Sequence, residues 1–96
     1  ATELHAAHLM GLNTAGLLDQ GAPAVKELSM TKAYSTETGL SAVDRAMQAH
    51  GAMGFTNEIH LVEAWHSLRA VKVAGGTNEI LRRTIAQWLF KGDVEV

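Results

Sequence analysis

The chain has 96 residues, 47% of them apolar, a net charge of −2 and no cysteine. That is one small domain with enough apolar content to fold, and it excludes a disulfide framework, a thiolate metal site and a cysteine nucleophile. The near-neutral charge balance offers no basic surface for nucleic acid, and no run of about 18 apolar residues is present to span a membrane.

Strand-like alternation is absent and Pro23 is the single proline, so the pattern predicts helices. The opening ATELHAAHLM lacks the basic-then-apolar order of a signal peptide and reads as a chain that begins inside something larger. A first helix is expected from about Glu3 to Leu18 with Thr2 as N-cap, its core stripe formed by Leu4, His8, Leu12, Ala15 and Leu18. Gly21 is suited to a left-handed cap at its end. A second helix is expected from Pro23, tolerated in a first turn, to His50, a length of roughly 42 Å. Val25, Leu28, Ala33, Leu40, Val43 and Met47 give it an apolar side. Ser35, Thr36, Thr38, Gly39, Ser41 and Ala42 let a neighbour come close.

Gly51 to Asn57 reads as a glycine-punctuated turn. A third helix is expected from about Glu58 to Val73, apolar on more than one side through Ile59, Val62, Trp65, Leu68 and Val71, and therefore well covered. Thr77 is the expected N-cap of a fourth helix, Asn78 to Phe90, with Ile80, Leu81, Thr84, Ile85, Trp88 and Leu89 as its stripe. Lys91 and Gly92 close it. The fold class is all-α, an antiparallel bundle of about four helices forming a single domain over residues 1–96.

The segment VKVAGGTNEILRR, Val71 to Arg83, stops one helix at Gly75-Gly76 and starts another at Thr77. A helix N-terminus exposes unpaired N–H groups and a partial positive charge, and glycines let another molecule's polar group approach the backbone. Read alone, the segment is more simply a tight helix–helix turn capped by Thr77. A second glycine-marked boundary lies about 25 residues earlier in VDRAMQAHGAMGF, where Gln48 precedes Gly51 and Gly54-Phe55 follow. His5 and His8 share a helix face near Glu3 but lack third and fourth ligands, so no metal site is assigned.

Taken together, Ala15–Gly21, Met30-Thr31-Lys32, Asp44–Phe55 and Gly76–Ile80 followed by Arg82 resemble, in order and spacing, the C-terminal α-helical domain of the acyl-CoA dehydrogenase family. The resemblance implies the C-terminal part of a longer FAD-dependent flavoprotein that dehydrogenates acyl-CoA thioesters at the α,β bond. It implies an acyl-CoA substrate, an electron acceptor, a homodimer or homotetramer, and a cytoplasmic or mitochondrial-matrix setting. By position it assigns Gln48, Ala49, Gly51 and Ala52 to the FAD of a neighbouring subunit, and Gly76, Thr77 and Glu79 to the FAD of their own. Many members place a catalytic glutamate where this chain has Gly75, which cannot act as a base. A branch of the family draws that glutamate from an earlier helix. His66-Ser67 also stands where most relatives have Arg-Asp. The alternatives are other flavin chemistry, of the acyl-CoA oxidase, nitroalkane oxidase or flavin monooxygenase type, and a non-catalytic helical assembly module.

Overall fold

A computed structural model describes all of residues 1–96. It contains four α-helices and no strand: α1 (Thr2–Asp19), α2 (Val25–Ala49), α3 (Leu61–Val71) and α4 (Asn78–Phe90), with a 3-10 turn at Gly51–Phe55. The fold class is all-α, as expected. The body is elongated, 49 × 22 × 19 Å. α2, at 25 residues, runs about 37 Å of that length.

The helices α1, α3 and α4 each pack on α2 and none packs on another. Arg45 Nη2 donates to Glu3 Oε2 at 2.7 Å, and further along Thr14 Oγ1 lies 2.8 Å from Thr31 Oγ1, so α1 runs antiparallel to α2. Asn78, at the start of α4, faces Ala33 and Thr36, while Asp93, just beyond its end, reaches Lys26. So α4 runs antiparallel along the first half of α2. Leu68 of α3 lies against Gly39, and Gly54 lies against Met47, so α3 covers the second half.

The centre of this arrangement is small and polar. Ala24 and Ala33 are the apolar buried residues, beside Thr14, Lys26, Ser29, Thr36, Thr38 and Asn78. Three of the hydroxyls bond within their own helices: Thr14 donates to the Met10 carbonyl, Ser29 to Val25 and Thr36 to Lys32, at 2.8–2.9 Å. A hydroxyl bonded to its own helix leaves a short, low-relief surface on which a second helix can sit closely. Small residues from Ser35 to Ala42 were expected to permit such an approach. Gly39 does so, with Leu68 Cδ2 only 3.3 Å from where a Cβ would stand.

The helix ends follow local backbone chemistry. Gly21 takes φ +82°, its N–H donates to the Leu18 carbonyl, and that of Ala22 donates to Leu17. Gly92 takes φ +98°, with Gly92 N–H to Leu89 and Asp93 N–H to Trp88. Both are Schellman closures, which require a left-handed residue after the cap. Lys91 sits 5.0 Å above the Trp88 ring as a cation–π partner. Past this point the tail is tied back by Lys26. Its buried ammonium donates to Asp93 Oδ1 at 2.6 Å, to the Asp93 carbonyl and to the Glu95 carbonyl. The bond to Asp93 holds the ammonium above the usual lysine range against the opposing effect of desolvation.

Several expectations need correction. Thr2 is not the N-cap of α1: Ala1 occupies that position without a side-chain cap, because its carbonyl already accepts the His5 N–H. Pro23 lies outside α2, which starts at Val25 after Ala24 turns the chain through φ +50°. α3 begins at Leu61 rather than Glu58, after His60 at φ +59°. The stripe Leu4–His8–Leu12–Ala15–Leu18 faces outward, and the packed face of α1 carries Met10, Thr14 and Leu17. This helix is apolar on several sides, so periodicity could not select one. α3 has no buried residue, and Trp65 and Val71 are exposed, because only α2 and the 3-10 turn reach it.

A Cβ at Gly54 would stand 2.8 Å from Met47 Cα, a backbone contact that cannot yield. Gly54→Ala is therefore expected to lower stability in a urea melt by about 1–3 kcal/mol. Gly16, inside α1 with nothing near its Cβ position, is the contrasting case. Gly16→Ala should raise stability by up to about 1 kcal/mol. Equal effects of the two substitutions would contradict this packing.

Candidate functional site

α3 ends at Val71, and the chain turns through Lys72–Ala74 before the paired glycines. Gly75 takes φ +68° and Gly76 φ +104°. Two successive left-handed residues are steric work for glycine, which explains why no side chain is present at either. Space is not the constraint: Cβ atoms there would meet Lys32 Nζ at 3.7 Å and Leu81 Cδ2 at 3.8 Å, ordinary contacts. Thr77 then caps α4 as expected, its Oγ1 accepting the Ile80 N–H at 3.2 Å.

This turn leaves donors without acceptors. The Asn78 N–H bonds to the Lys72 carbonyl, and the Leu81 N–H to Thr77. The amides of Gly75, Gly76, Thr77 and Glu79 donate to no group of the chain. Four free amides at a helix N-terminus, with glycine at two of them, suit an anionic or polar group. Such a donor set fits the pyrophosphate or a carbonyl edge of a dinucleotide cofactor. It adds no titratable cation to the exposed face. Glu79 is exposed in the first turn, its carboxylate free in solvent.

Beneath the turn is a polar tie that sequence reasoning missed. Asn78 is 1% exposed. Its Nδ2 donates to Thr36 Oγ1 and to Glu37 Oε1, both at 3.2 Å. The Asn78 Oδ1 is buried without a donor. Arg82 donates to the same Glu37 oxygen. Burial pushes the Glu37 carboxyl up, but the hydrogen bonds from Asn78 and Arg82 outweigh it and hold the carboxyl below its ordinary value. Lys32, one turn earlier on α2, donates to the carbonyls of Ala74 and Gly76. No spacing rule flags Lys32 or Glu37. Their partners are backbone and side chains more than forty positions away in the chain.

Gln48, Ala49, Gly51 and Ala52 are all exposed at the far end of α2, with Gly51 at φ +61° opening the 3-10 turn. Phe55 beside them is 79% exposed. The structure does not bring these residues to Gly76, Thr77 and Glu79. Lys32 marks the α3–α4 turn and Gln48 lies sixteen residues on, about 24 Å along the helix. The protein thus presents two separate glycine-marked surfaces. No group of three or more His, Asp or Glu side chains is placed to hold a metal, and no helix is long and apolar enough to cross a membrane.

Fold and site together define an all-α domain built round one helix, with an open amide-lined turn at its middle. Residues 1–90 match the family described as Acyl-CoA dehydrogenase, C-terminal domain, and the chain belongs to that family. It is 33% identical over 90 residues to a 3-(aryl)acrylate reductase of Clostridium sporogenes, covering 94% of this chain and 24% of that protein. It is 33% identical over 91 residues to the caffeyl-CoA reductase-Etf complex subunit CarC of Acetobacterium woodii, covering 95% and 24%. It is 31% identical over 87 residues to a mitochondrial short/branched chain specific acyl-CoA dehydrogenase of Rattus norvegicus, covering 91% and 20%. The chain thus spans about a quarter of the length of the curated relatives it matches. The fold recurs, at TM-score 0.91 and 22% identity over 95% of this chain and 24% of the other, in a solved structure concerning the electron transferring flavoprotein of Acidaminococcus fermentans.

Because the Glu37 carboxyl is held below its ordinary value of 4.5, its pairing stabilises the fold above that pH and is lost as pH falls through the folded-state value. The stability advantage of the wild type over Glu37→Gln should therefore be greatest at neutral pH and shrink below pH 4.5. Thermal melts from neutral pH to about pH 3 would show it. A difference that stays constant across that range would contradict the tie.

Proposed function

We propose that the chain is the C-terminal domain of an FAD-dependent acyl-CoA dehydrogenase and supplies cofactor contacts and subunit packing to the complete flavoprotein. The observation that carries this reading is the set of free amides at Gly75, Gly76, Thr77 and Glu79, displayed on an open turn in a chain of this family. Gly76, Thr77 and Glu79 would line the FAD of their own subunit. Gln48, Ala49, Gly51 and Ala52, about 24 Å along α2 from that turn, would line the FAD of a neighbour. Their separation favours service to two different cofactors over a single site.

In the proposed reaction the thioester acidifies the substrate's α-carbon, and bound FAD supplies a hydride acceptor for the β-carbon. The residues of this chain bind and orient. Backbone amides hold polar groups of the cofactor without mobile charge, in a geometry fixed before binding. Gly75 supplies no base, so the α-proton goes to a carboxylate elsewhere in the complete protein. An acyl-CoA and an electron acceptor are the proposed partners. A homodimer or homotetramer is proposed because large apolar side chains such as Leu12, Ile80 and Phe55 stand exposed and ask for cover.

A second reading is favoured by the relatives that are themselves reductases. The same carbon–carbon bond chemistry can run toward saturation, with hydride delivered to the unsaturated substrate. The turn would hold the cofactor identically in either direction. Electron donors and acceptors offered to the complete protein would separate the two.

Thr77 and Gly76 carry separable tasks. Thr77→Ala removes the cap oxygen and should cost about 1 kcal/mol of stability. Gly76→Val leaves the cap but forces a β-branched residue to φ +104°. Flavin per protomer after gel filtration of the complete flavoprotein should fall far more for Gly76→Val than for Thr77→Ala. Equal retention by both variants would reduce the segment to a helix–helix turn.

A further inference from the structure

The direction in which the turn's amides point is set from behind. Lys32, near the middle of α2, donates from its ammonium to the carbonyls of Ala74 and, at 2.8 Å, of Gly76. Each carbonyl shares a peptide plane with the next residue's N–H: Ala74 with Gly75, and Gly76 with Thr77. In a trans peptide the C=O and N–H point in opposite directions, and the chain contains no cis bond. Two carbonyls drawn toward α2 therefore turn the N–H groups of Gly75 and Thr77 away from it. These are two of the four amides with no acceptor in the chain.

The Asn78 N–H closes the turn onto the Lys72 carbonyl, but no other hydrogen bond holds these two peptide planes. Glycine populates both signs of φ readily, so the planes on either side of Gly75 and Gly76 can rotate at little steric cost. The carbonyls of Ala74 and Gly76 have no other hydrogen-bond donor in the chain. Without the ammonium they would be free to swing outward and would present oxygen, not N–H, to an approaching anion. The two glycines that make the turn possible also make it floppy, and Lys32 removes that freedom.

We propose that Lys32 is the positioning residue of the cofactor turn: it holds the Gly75 and Thr77 amides outward, toward the polar group of the bound flavin dinucleotide. This rests on the reading that the turn faces FAD. Lys32 itself does not touch the cofactor, and its effect is transmitted through two peptide planes. An arginine at the same place can donate to both carbonyls. A methionine of similar length can donate to neither.

The test uses the complete flavoprotein and four variants, with a fifth in reserve. FAD affinity is read by titrating the apoprotein, the environment of bound flavin by its visible absorption band shape, and packing by the apoprotein's melting temperature. Lys32→Met should weaken FAD by about tenfold or more, the worth of one hydrogen bond to a charged group, and alter the band shape. Lys32→Arg should restore affinity to within about threefold of wild type. Glu37→Gln breaks a neighbouring α2–α4 tie that does not reach the turn's carbonyls. It should lower the melting temperature while leaving affinity within about threefold. Wild-type affinity in Lys32→Met, or a loss no greater than that of Glu37→Gln, would overturn the proposal. So would failure of Lys32→Arg to rescue. If Lys32→Met does not fold, Lys32→Leu, which likewise carries no donor, decides by the same criteria. Gly76→Val separates the two levels: flavin loss there with none in Lys32→Met sinks only the positioning role, and no loss in either sinks the reading of the turn as well.

Discussion

α1, α3 and α4 all lean on α2 and none on another, with α3 meeting only the 3-10 turn besides. A fold with one shared partner has no closed apolar core, and the residues buried along α2 are alanines, hydroxyls and two larger polar side chains, Lys26 and, from α4, Asn78. Hydroxyls satisfied by their own helix make α2 a smooth rod, and dispersion over short side chains supplies close packing without large apolar burial. What fixes the register of each helix on the rod is a set of polar ties spread along it: Lys26 to the tail, Lys32 to the α3–α4 turn, Glu37 to Asn78 and Arg82, and Arg45 to Glu3. The ties at Arg45 and Arg82 are exposed and individually weak. Those at Lys26 and Asn78 are buried, so loss of one partner would strand a polar group.

The rod also spaces the functional surfaces. The α3–α4 turn hangs on Lys32 near the middle of α2, and the Gln48–Ala52 boundary is the end of α2 itself. Their separation is therefore as rigid as a helix, about 24 Å. In the proposed function this rigidity matters more than any single contact, since one chain offers one surface to its own cofactor and the other to a neighbour's. Gly75 and Gly76 provide left-handed backbone, Thr77 starts the helix, and Lys32 aims the amides that result.

Features written in local backbone chemistry were legible in the sequence. Gly21 and Gly92 announced helix ends, the pair Gly75-Gly76 a break between helices, and Thr77 a cap, because each acts within a few residues of itself. The existence of four helices followed from periodicity for the same reason. The face of α1 did not, since Leu4, Leu12 and Leu18 make as good a stripe as Met10, Thr14 and Leu17, and only contact with α2 distinguishes them. Coverage of α3 was overestimated because an apolar helix was taken to have partners on each apolar side. The ties of Lys26, Lys32 and Glu37 were invisible, since these are charged residues whose partners lie over forty positions away. At the candidate site the glycines and Thr77 were readable, and the device that orients them was not.

The central claim is that the two glycine-marked surfaces of one chain serve two cofactors. A structure of the complete flavoprotein with FAD bound tests it most directly. The expected result is a cofactor within hydrogen-bond distance of the Gly75–Thr77 amides of one copy and of the Gln48–Ala52 segment of another. A cofactor that meets both segments of the same copy, or one that lies remote from the Gly75–Thr77 amides, would contradict it.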